Sequence, residues 1–559
     1  MAASQDETTV LVIDDERLIR LTLSAKLKLV GYTAVCVAST QEAVQLLNDG
    51  QYKQFKAVIT DIMMDDMDGF VFRDILRGMD PSMPIFFVTA LDPEEGSGFL
   101  KRIMEDSYSF YLPKAVKAEM LIKRVQSIVN SRMVEKLVRE NARKMTEALN
   151  LASHVQRGML PPRLMLTETD FYTTLWQPKD AVSGDLIEVQ PLQGGGHLYV
   201  LGDIQGHGTS AALSMMAVQS FLKQLPLSED ISQASPAHIA NLMQHFFATT
   251  LGASSYMTAL ICVHRPKECI VDWISCGAPD LHVIDPYNAE PVDINPEKRG
   301  GLPIGLMADT NYSEDSVVRT RIPESALCVA FTDGLFDIYR DQAGYDQLPE
   351  TLLMKLQREL ISEARLNGST IAAPYKFLMA CEAYGYNVLA DDVTELIFGA
   401  PLVKPGVLER IVPINADAVD SMAQEIEQWC VGQGLDGAAI TKVQMVFEEK
   451  LMNLHDHGID IRDRSWERAC IRLRKAAGGV ELTIWDFGTQ EPSMAVAAGS
   501  LDVALELKNR EFSGHGRGRL MVRKICNGIQ RSRFGVLNET IYQIPAEENG
   551  GSNTGDNSK

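Results

Sequence analysis

The sequence lacks the marks of several common classes. Its nine cysteines are scattered and include no Cys-x-x-Cys pair. Neither a disulfide framework nor a zinc site is indicated, and reduced thiols in a cytoplasmic protein are the simple expectation. No apolar run reaches the ~18 residues that a membrane span needs. Met1 to Thr9 is polar and acidic, unlike a signal peptide. Positive charge is outnumbered: 53 Lys and Arg stand against 74 Asp and Glu, for a formal charge of −21. That balance argues against broad binding to nucleic-acid phosphates. No helix-turn-helix segment or basic patch is visible, so a DNA-binding regulator is a poor reading. Finally, Lys117 to Arg157 holds neither proline nor glycine, which leaves a long stretch without helix breakers.

What remains is an ordinary globular composition, 45% hydrophobic and 23% charged over 559 residues, enough for three or four domains. The chain is organised around Gly202-Asp203-Ile204-Gln205-Gly206-His207-Gly208. An apolar run, Leu198 to Leu201, delivers Asp203 to this turn, and a helical pattern, Ser210 to Gln219, leads away. A carboxylate at the end of a buried strand is costly unless paired, and a metal ion is the usual partner. No role is assigned to position 204, an isoleucine (Ile204).

Other aspartates strengthen the reading. Asp185 ends Val182-Ser183-Gly184-Asp185, and Asp333 follows the apolar run Ala326 to Ala330. Asp391 and Asp392 precede Val393-Thr394. All sit at expected strand ends within one segment of domain size. Hard oxygen ligands suit Mg²⁺ or Mn²⁺, and two such ions can activate a water and clamp a phosphoryl group. In order, Gln156 to Pro161, Ala181 to Asp185, Gly202 to Gly208, Tyr256 to Ala259, Ser275 to Pro279, Gly301 to Gly305, Thr332 to Gly334 and Asp391 to Thr394 resemble the SpoIIE-type branch of the protein phosphatase 2C fold. Ser183 replaces a glycine of the family pattern, and Ala278-Pro279 stands where His-Pro is usual. The resemblance implies an αββα sandwich with serine/threonine phosphatase activity. It also implies two Mn²⁺ or Mg²⁺ ions bridged by Asp203 and completed by Asp185, Asp333, Asp391 and Asp392.

Toward the N-terminus, Val10 to Ile13 ends in Asp14-Asp15, and Ala57 to Thr60 ends in Asp61. Ile85 to Val88 ends in Thr89, and Ser109 to Leu112 leads to Lys114. Amphipathic stretches lie between them (Leu18 to Leu29, Gln41 to Asn48, Gly69 to Leu76). Alternating strands and helices predict a parallel sheet with functional residues at the carboxyl ends of its strands. The segment resembles a response-regulator receiver of flavodoxin-like fold. That implies Asp61 as phosphoacceptor, Asp14 and Asp15 as Mg²⁺ ligands, Thr89 and Lys114 as phosphoryl contacts, and Tyr111 as the switch aromatic. An upstream histidine kinase is the implied partner. Asp65 and Ala115 stand where the family usually has proline.

The stretch after the receiver carries a 4-3 stripe, Val134, Val138, Asn141, Met145, Ala148, Ala152, Val155 and Met159. That is the seam of a coiled coil, and Asn141 would favour a parallel homodimer in register. Leu121, Val125 and Ile128 are out of phase with it, which predicts a break near Ser131 to Met133. The alternative is an amphipathic helix packed on its own domain. Within the phosphatase-like segment, Pro349 to Arg365 reads as a helical insertion with Leu352, Leu356 and Leu360 on one face.

In the last segment, Val419 to Trp429 and Ile440 to Leu454 read as helices, and Ile471 to Leu473 and Val480 to Trp485 as strands. Glu449 and Asn453 are four apart and share a helix face. Asp486-Phe487-Gly488 ends the second strand, and Gly514, Gly516 and Gly518 form a loop opening a helix, where amides can cradle phosphates. This order resembles the GHKL ATPase α/β sandwich in its anti-sigma-factor serine kinase branch. The resemblance implies Glu449 as catalytic base, Asn453 as Mg²⁺ ligand, and Asp486, Gly488, Gly514, Gly516 and Gly518 as ATP-binding residues. Gln490 replaces a second glycine after Asp486.

The expected organisation is multidomain α/β and α+β. It comprises a receiver (1–125), a helical coiled-coil linker (126–159), a phosphatase (160–400), a GHKL domain (405–545) and a disordered tail (546–559). The joint resemblance implies a two-component regulator whose phosphatase and kinase act on one STAS-domain anti-sigma factor antagonist. The alternative is a non-catalytic C-terminal domain that sequesters a sigma factor.

Overall fold

The computed structural model of the chain describes residues 8–49, 51–64, 67–89, 97–114, 117–193, 195–225, 235–252, 255–285, 287, 301–367, 370–401, 405–458, 468–488, 517–534 and 536–546. It divides into two compact units, Met1–Glu147 and Ala148–Lys559.

The first unit runs β1 (Thr9–Ile13), α1 (Arg17–Leu29), β2 (Thr33–Val37), α2 (Thr40–Asn48), β3 (Phe55–Thr60), α3 (Gly69–Met79), β4 (Ile85–Thr89), α4 (Ser97–Met104), β5 (Ser109–Pro113) and the start of α5 (Ala118–Met159). All strand pairs are parallel, in the order β2-β1-β3-β4-β5. Strand residues alternate between two cores. Val10, Val12, Ala57 and Ile59 meet Leu23, Leu27, Leu121 and Val125 on one face. Leu11, Ile13, Val58 and Phe87 meet Ala43, Leu47, Phe70 and Phe72 on the other. A sheet covered on both faces explains why its strands read as continuous apolar runs. Strand β2 was not foreseen; it is an edge strand and mostly half-exposed, so its pattern is weak.

Helix α5 corrects one expectation. It is unbroken from Ala118 to Met159, with no interruption at Ser131 to Met133. The sequence there offers no breaker, and phase drift of an apolar stripe is not enough to end a helix. Leu121, Ile122, Val125 and Val129 are buried in the first unit, and Arg132 donates to Asp80 (2.7 Å) and Ser82 (3.0 Å). The expected linker boundary at 126 therefore falls inside a segment that packs with the parallel sheet.

In the second unit the strands in chain order are β6 (Leu164–Leu166), β7 (Phe171–Gln177), β8 (Asp185–Pro191), β9 (His197–Ile204), β10 (Met257–Arg265), β11 (Ile270–Cys276), β12 (His282–Ile284), β13 (Val318–Arg321) and β14 (Leu327–Phe331). The short pair β15 (Ile338–Tyr339) and β16 (Val388–Leu389) and then β17 (Val393–Gly399) follow. The helices between them are α6 (Thr209–Lys223), α7 (Pro236–Phe246), α8 (Glu350–Asn367) and α9 (Ala373–Ala383). Two antiparallel sheets form, β13-β11-β10-β9-β8 and β12-β14-β17-β7-β6. Period-two alternation splits each strand. Leu260, Cys262, Cys328, Ala330, Leu396 and Phe398 fill the space between the sheets. Ala259, Ile261 and Val263 turn outward against α6 and α7. Val329, Phe331 and Ile397 turn outward against α8 and α9. The result is helix, sheet, sheet, helix. Helix α8 occupies the expected insertion, with Leu353, Leu356 and Ile361 buried and Leu352 and Leu360 partly so.

The C-terminal part has β18 (Val407–Pro413), α10 (Ala416–Gly432), α11 (Gly437–Asn453), β19 (Arg468–Ala476), β20 (Gly479–Asp486), a helix Arg517–Ile525, β21 (Gly528–Phe534) and β22 (Leu537–Pro545). Its antiparallel sheet, β18-β19-β20-β22-β21, packs one face on α10 and α11. Part of the other face is covered as well. Cys470, Trp485, Phe487 and Leu537 join the same apolar cluster as Leu164, Phe171 and Tyr375. Phe487 lies 5.6 Å from the Tyr375 ring, with the Arg163 guanidinium over it at 5.3 Å. The segments expected as 160–400 and 405–545 thus share a core. Gln490, Gly514, Gly516, Asp65, Ala115 and nearly all of the expected tail lie outside the described residues.

Candidate functional sites

The first site stands at the carboxyl edge of the parallel sheet, beside the switch from β1 to β3. Asp14 follows β1, Asp61 follows β3, Thr89 ends β4 and Lys114 follows β5. The Lys114 Nζ is 2.6 Å from Asp61 Oδ2 and 3.5 Å from Asp14 Oδ2. Asp61 Oδ1 accepts from the Ile62 amide at 2.6 Å, leaving the carboxylate anchored and aimed. Burial raises the Asp14 pKa, and the Asp61 and Asp15 charges add to that, while the Glu16 amide and Lys114 oppose it. Burial disfavours the Lys114 charge, yet Asp61 and Asp14 outweigh it and hold the ammonium above its ordinary value. Glu16, 3.5 Å from Lys114, is a further acid that sequence reading missed. Thr89 is buried, and its carbonyl accepts from the Lys114 amide at 2.8 Å. Tyr111 is half-buried against Phe99, ring centroids 5.8 Å apart. Gly69 has a steric reason: a Cβ there would stand 2.4 Å from the Asp61 carbonyl.

The second site is at one end of the two-sheet sandwich. Asp185 opens β8 and is paired in register with Asp203 in β9. Asp333 follows β14, and Asp391-Asp392 lead into β17. Asp185 is buried and its Oδ2 accepts from Thr332 Oγ1 (2.9 Å) and Thr394 Oγ1 (2.6 Å). Asp392 differs from its neighbour. Its Oδ1 accepts from the Lys179 amide and its Oδ2 from the Gly184 amide, both at 2.8 Å. Asp392 therefore ties the Asp185 loop to β17, whereas Asp391 Oδ1 accepts from the Asp392 amide at 2.8 Å. Gly334 is needed here, since a Cβ would lie 1.8 Å from the Asp392 carbonyl.

The electrostatics of this site are one-sided. Burial and then the Asp333, Asp391 and Asp392 charges push Asp203 up to about 8. Burial and Asp203 raise Asp185 well above the carboxylate range, against the Thr394 and Thr332 bonds. Burial and Asp391 raise Asp333. The charges acting on Asp203 are all carboxylates, an arrangement that a divalent cation relieves. Among the described residues, no group of three or more His, Cys, Asp or Glu side chains is placed close enough together to hold a metal ion. What joins these acids is their mutual field and the hard oxygen chemistry that suits Mg²⁺ or Mn²⁺. Thr332, Thr394 and Ser183 were visible only as letters inside motifs; neutral hydrogen-bonding residues carry no charge signal to single them out.

The third site is in the C-terminal part. Asn453 Nδ2 donates to Glu449 Oε1 at 2.7 Å, so the two share one face of α11. Asp486 is another matter. Its Oδ1 accepts from the Gly488 amide (3.0 Å) and Asn538 Nδ2 (2.8 Å), and its Oδ2 faces Lys450 Nζ at 3.1 Å. Asp486 is fully buried and Lys450 nearly so. Both Asp486 oxygens thus face protein groups. Lys450 and Asn538 were missed, because no local pattern links a helix lysine to an aspartate on a strand far along the chain. Gly518 lies in the first turn of the helix Arg517–Ile525.

Residues 10–126 match the response regulator receiver domain family, and residues 193–400 match the Stage II sporulation protein E (SpoIIE) family. The chain joins a receiver to a SpoIIE-type phosphatase domain. The receiver match lies on the parallel sheet, and the SpoIIE match runs from β9 to β17 of the two-sheet sandwich. Relatives include the response regulator MprA of Mycolicibacterium vanbaalenii, 29% identical over 167 residues, which are 29% of this chain and 68% of that protein. The Mycobacterium tuberculosis MprA is 27% identical over 166 residues, 29% of this chain and 68% of its own length. Similar solved structures include the SiaA-PP2C domain of Pseudomonas aeruginosa (22% identity, 46% of this chain, 98% of that chain, TM-score 0.39). Another holds the RsbU and RsbW domains of a Mycobacterium tuberculosis protein (16% identity, 68% of this chain, 94% of that chain, TM-score 0.34). No described helix is long and apolar enough to cross a membrane.

Proposed function

We propose that this chain is a receiver-controlled, Mn²⁺- or Mg²⁺-dependent phosphatase that removes phosphate from serine or threonine of a STAS-domain anti-sigma factor antagonist. One observation carries the reading: Asp185 and Asp203 are register partners on β8 and β9, and the charges raising Asp203 are those of Asp333, Asp391 and Asp392. When bound, two divalent ions would supply an activated water and neutralise the phosphate. The chain's own part is to hold Asp185 through Thr332 and Thr394 and to fix the Asp185 loop through Asp392. An upstream histidine kinase supplies the phosphoryl group for Asp61. The test is phosphate release from the phosphorylated antagonist with Mn²⁺ and with EDTA.

For the C-terminal part, a serine kinase and a docking module that engages the antagonist or a sigma factor remain the two readings. The Lys450–Asp486 pair favours docking, because it occupies the carboxylate that would recognise a base. The Glu449–Asn453 pair is the feature a kinase would need. With labelled ATP, Mg²⁺ and unphosphorylated antagonist, no transfer above that of Asn453→Ala is expected. Robust transfer that Asn453→Ala abolishes would restore the kinase.

The linker is proposed to form a parallel homodimer. Val134, Val138, Met145 and Val155 are exposed on the lone helix at 61%, 60%, 53% and 48%, and Asn141 lies on the same stripe. A buried amide is best satisfied by its twin in register. Sedimentation of the full chain is expected to show a dimer, weakened by Val138→Glu. A monomer at every concentration, with and without acetyl phosphate, would contradict it.

A further inference from the structure

Most of α5 beyond residue 133 is exposed, and then Gln156 is fully buried. A buried primary amide must place both its donor and its acceptor. Gln156 does so on a single residue. Its Nε2 donates to the Ser183 carbonyl at 2.6 Å, and its Oε1 accepts from the Ser183 amide at 3.0 Å. The side chain thus pairs with Ser183 as a neighbouring strand would, in a loop that has no strand there.

Ser183 sits at the root of the carboxylate centre. Its Oγ accepts from the Asp185 amide at 3.0 Å. The next residue, Gly184, donates its amide to Asp392 Oδ2 at 2.8 Å, and its carbonyl accepts from the Ile204 amide at 3.4 Å. One residue beyond Gln156's partner, then, the backbone touches both Asp392 and the strand that carries Asp203. The end of α5 is held a second time. The Met159 carbonyl accepts from Gln219 Nε2 at 2.9 Å and from Lys223 Nζ. Gln219 also donates to the Ile187 carbonyl (3.2 Å) and Glu188 Oε2 (3.1 Å) on β8. The close of the helix is therefore fixed to the loop before Asp185 and to α6, the helix that follows the Asp203 turn.

We propose that Gln156 is a positioning residue of the phosphatase centre: by clamping the Ser183 backbone it sets where Gly184, Asp185 and Asp392 stand, and so sets the affinity of the site for its divalent ion. The inference rests on the metal-dependent reading given above. It does not make Gln156 catalytic, since the side chain reaches none of the acids itself.

Groups that hold metal ligands typically change metal affinity by about 10–100-fold when removed. Gln156→Leu keeps the apolar bulk and loses both bonds. Gln156→Glu keeps the shape and the acceptor but sets a charged oxygen, in place of the donor, against the Ser183 carbonyl. Mn²⁺ binding is followed by electron paramagnetic resonance on the full chain, in an Asp15→Asn background that removes the receiver's own ion ligand. Both variants are expected to bind Mn²⁺ about 10–100-fold more weakly, with a far-ultraviolet circular dichroism spectrum and a metal-free melting transition that show a folded chain. A general packing defect would lower the melting temperature without a selective loss of Mn²⁺. If Gln156→Leu does not fold, Gln156→Glu decides. Wild-type-like affinity in a folded variant, within about twofold, overturns the role of Gln156 and leaves the metal centre standing. Absence of Mn²⁺ binding in the parent chain overturns both.

Discussion

Asp203→Asn is expected to lower metal-dependent phosphate release by about 10³-fold or more, which corresponds to about 4 kcal/mol of transition-state stabilisation. The same change is expected to stabilise the metal-free protein at alkaline pH. Both effects have one origin. Asp203 is pushed from 3.8 up to about 8, first by burial and then by the Asp333, Asp391 and Asp392 charges. A carboxyl whose folded pKa is raised contributes stability below its unfolded pKa and loses it as pH rises through the folded value. In EDTA the wild-type chain should therefore weaken between about pH 4 and pH 8, as Asp203 is forced to ionise beside other acids. Asp185 and Asp333 shift in the same direction and add to the slope. An asparagine at 203 has no charge to acquire, so its variant should be more stable in EDTA at pH 8, by something on the order of 2–4 kcal/mol. Adding Mn²⁺ should reverse the ranking, since an ion bound only by the folded state stabilises by mass action. Melting curves across pH, with EDTA and with Mn²⁺, check this directly. Retained activity, or identical pH slopes for the two proteins, would show that Asp203 does not belong to a metal centre.

The second large effect concerns the input. Asp61→Asn should abolish labelling by acetyl phosphate, and with it any difference in phosphatase rate between treated and untreated protein. Asp61 is the acid held against Lys114 at 2.6 Å, with its other oxygen on the Ile62 amide. Phosphorylation replaces one negative charge by nearly two beside Asp14 and Asp15, which is tolerable only with a cation and with Lys114 following the new oxygens. Lys114→Ala should then still label but fail to transmit, because the residue that tracks the charge is gone. Labelling that persists in Asp61→Asn would place the acceptor elsewhere.

Much of this is legible in the sequence alone, for identifiable reasons. Asp14, Asp61, Asp185, Asp203 and Asp333 each stand at the end of an apolar run or in a glycine turn, where a charge is costly and so informative. The parallel sheet was legible because β1, β3, β4 and β5 are apolar on both faces. The edge strand Thr33–Val37 is half-exposed and gave no such signal. Trp485 and Phe487 hinted at more than was drawn from them. Val480 to Ile484 alternates apolar and polar, the pattern of a strand with one buried face, yet every residue of β20 is buried, and Trp485 on its second face joins the core of the preceding sandwich. Lys450, Thr332, Thr394 and Gln156 act through one or two hydrogen bonds or an ion pair to residues distant in sequence, and composition and periodicity are silent on those. The smooth run of α5 through Ser131 to Met133 shows the opposite fault, a pattern given more weight than the absence of a breaker.

The most direct measurement is phosphate release by the purified full chain from a phosphorylated STAS-domain antagonist, in Mn²⁺ and in EDTA, before and after acetyl phosphate. The account predicts release that requires Mn²⁺, disappears in Asp203→Asn and changes with phosphorylation of Asp61. Release that persists in EDTA, or none under any condition from an antagonist that binds the chain, would contradict it.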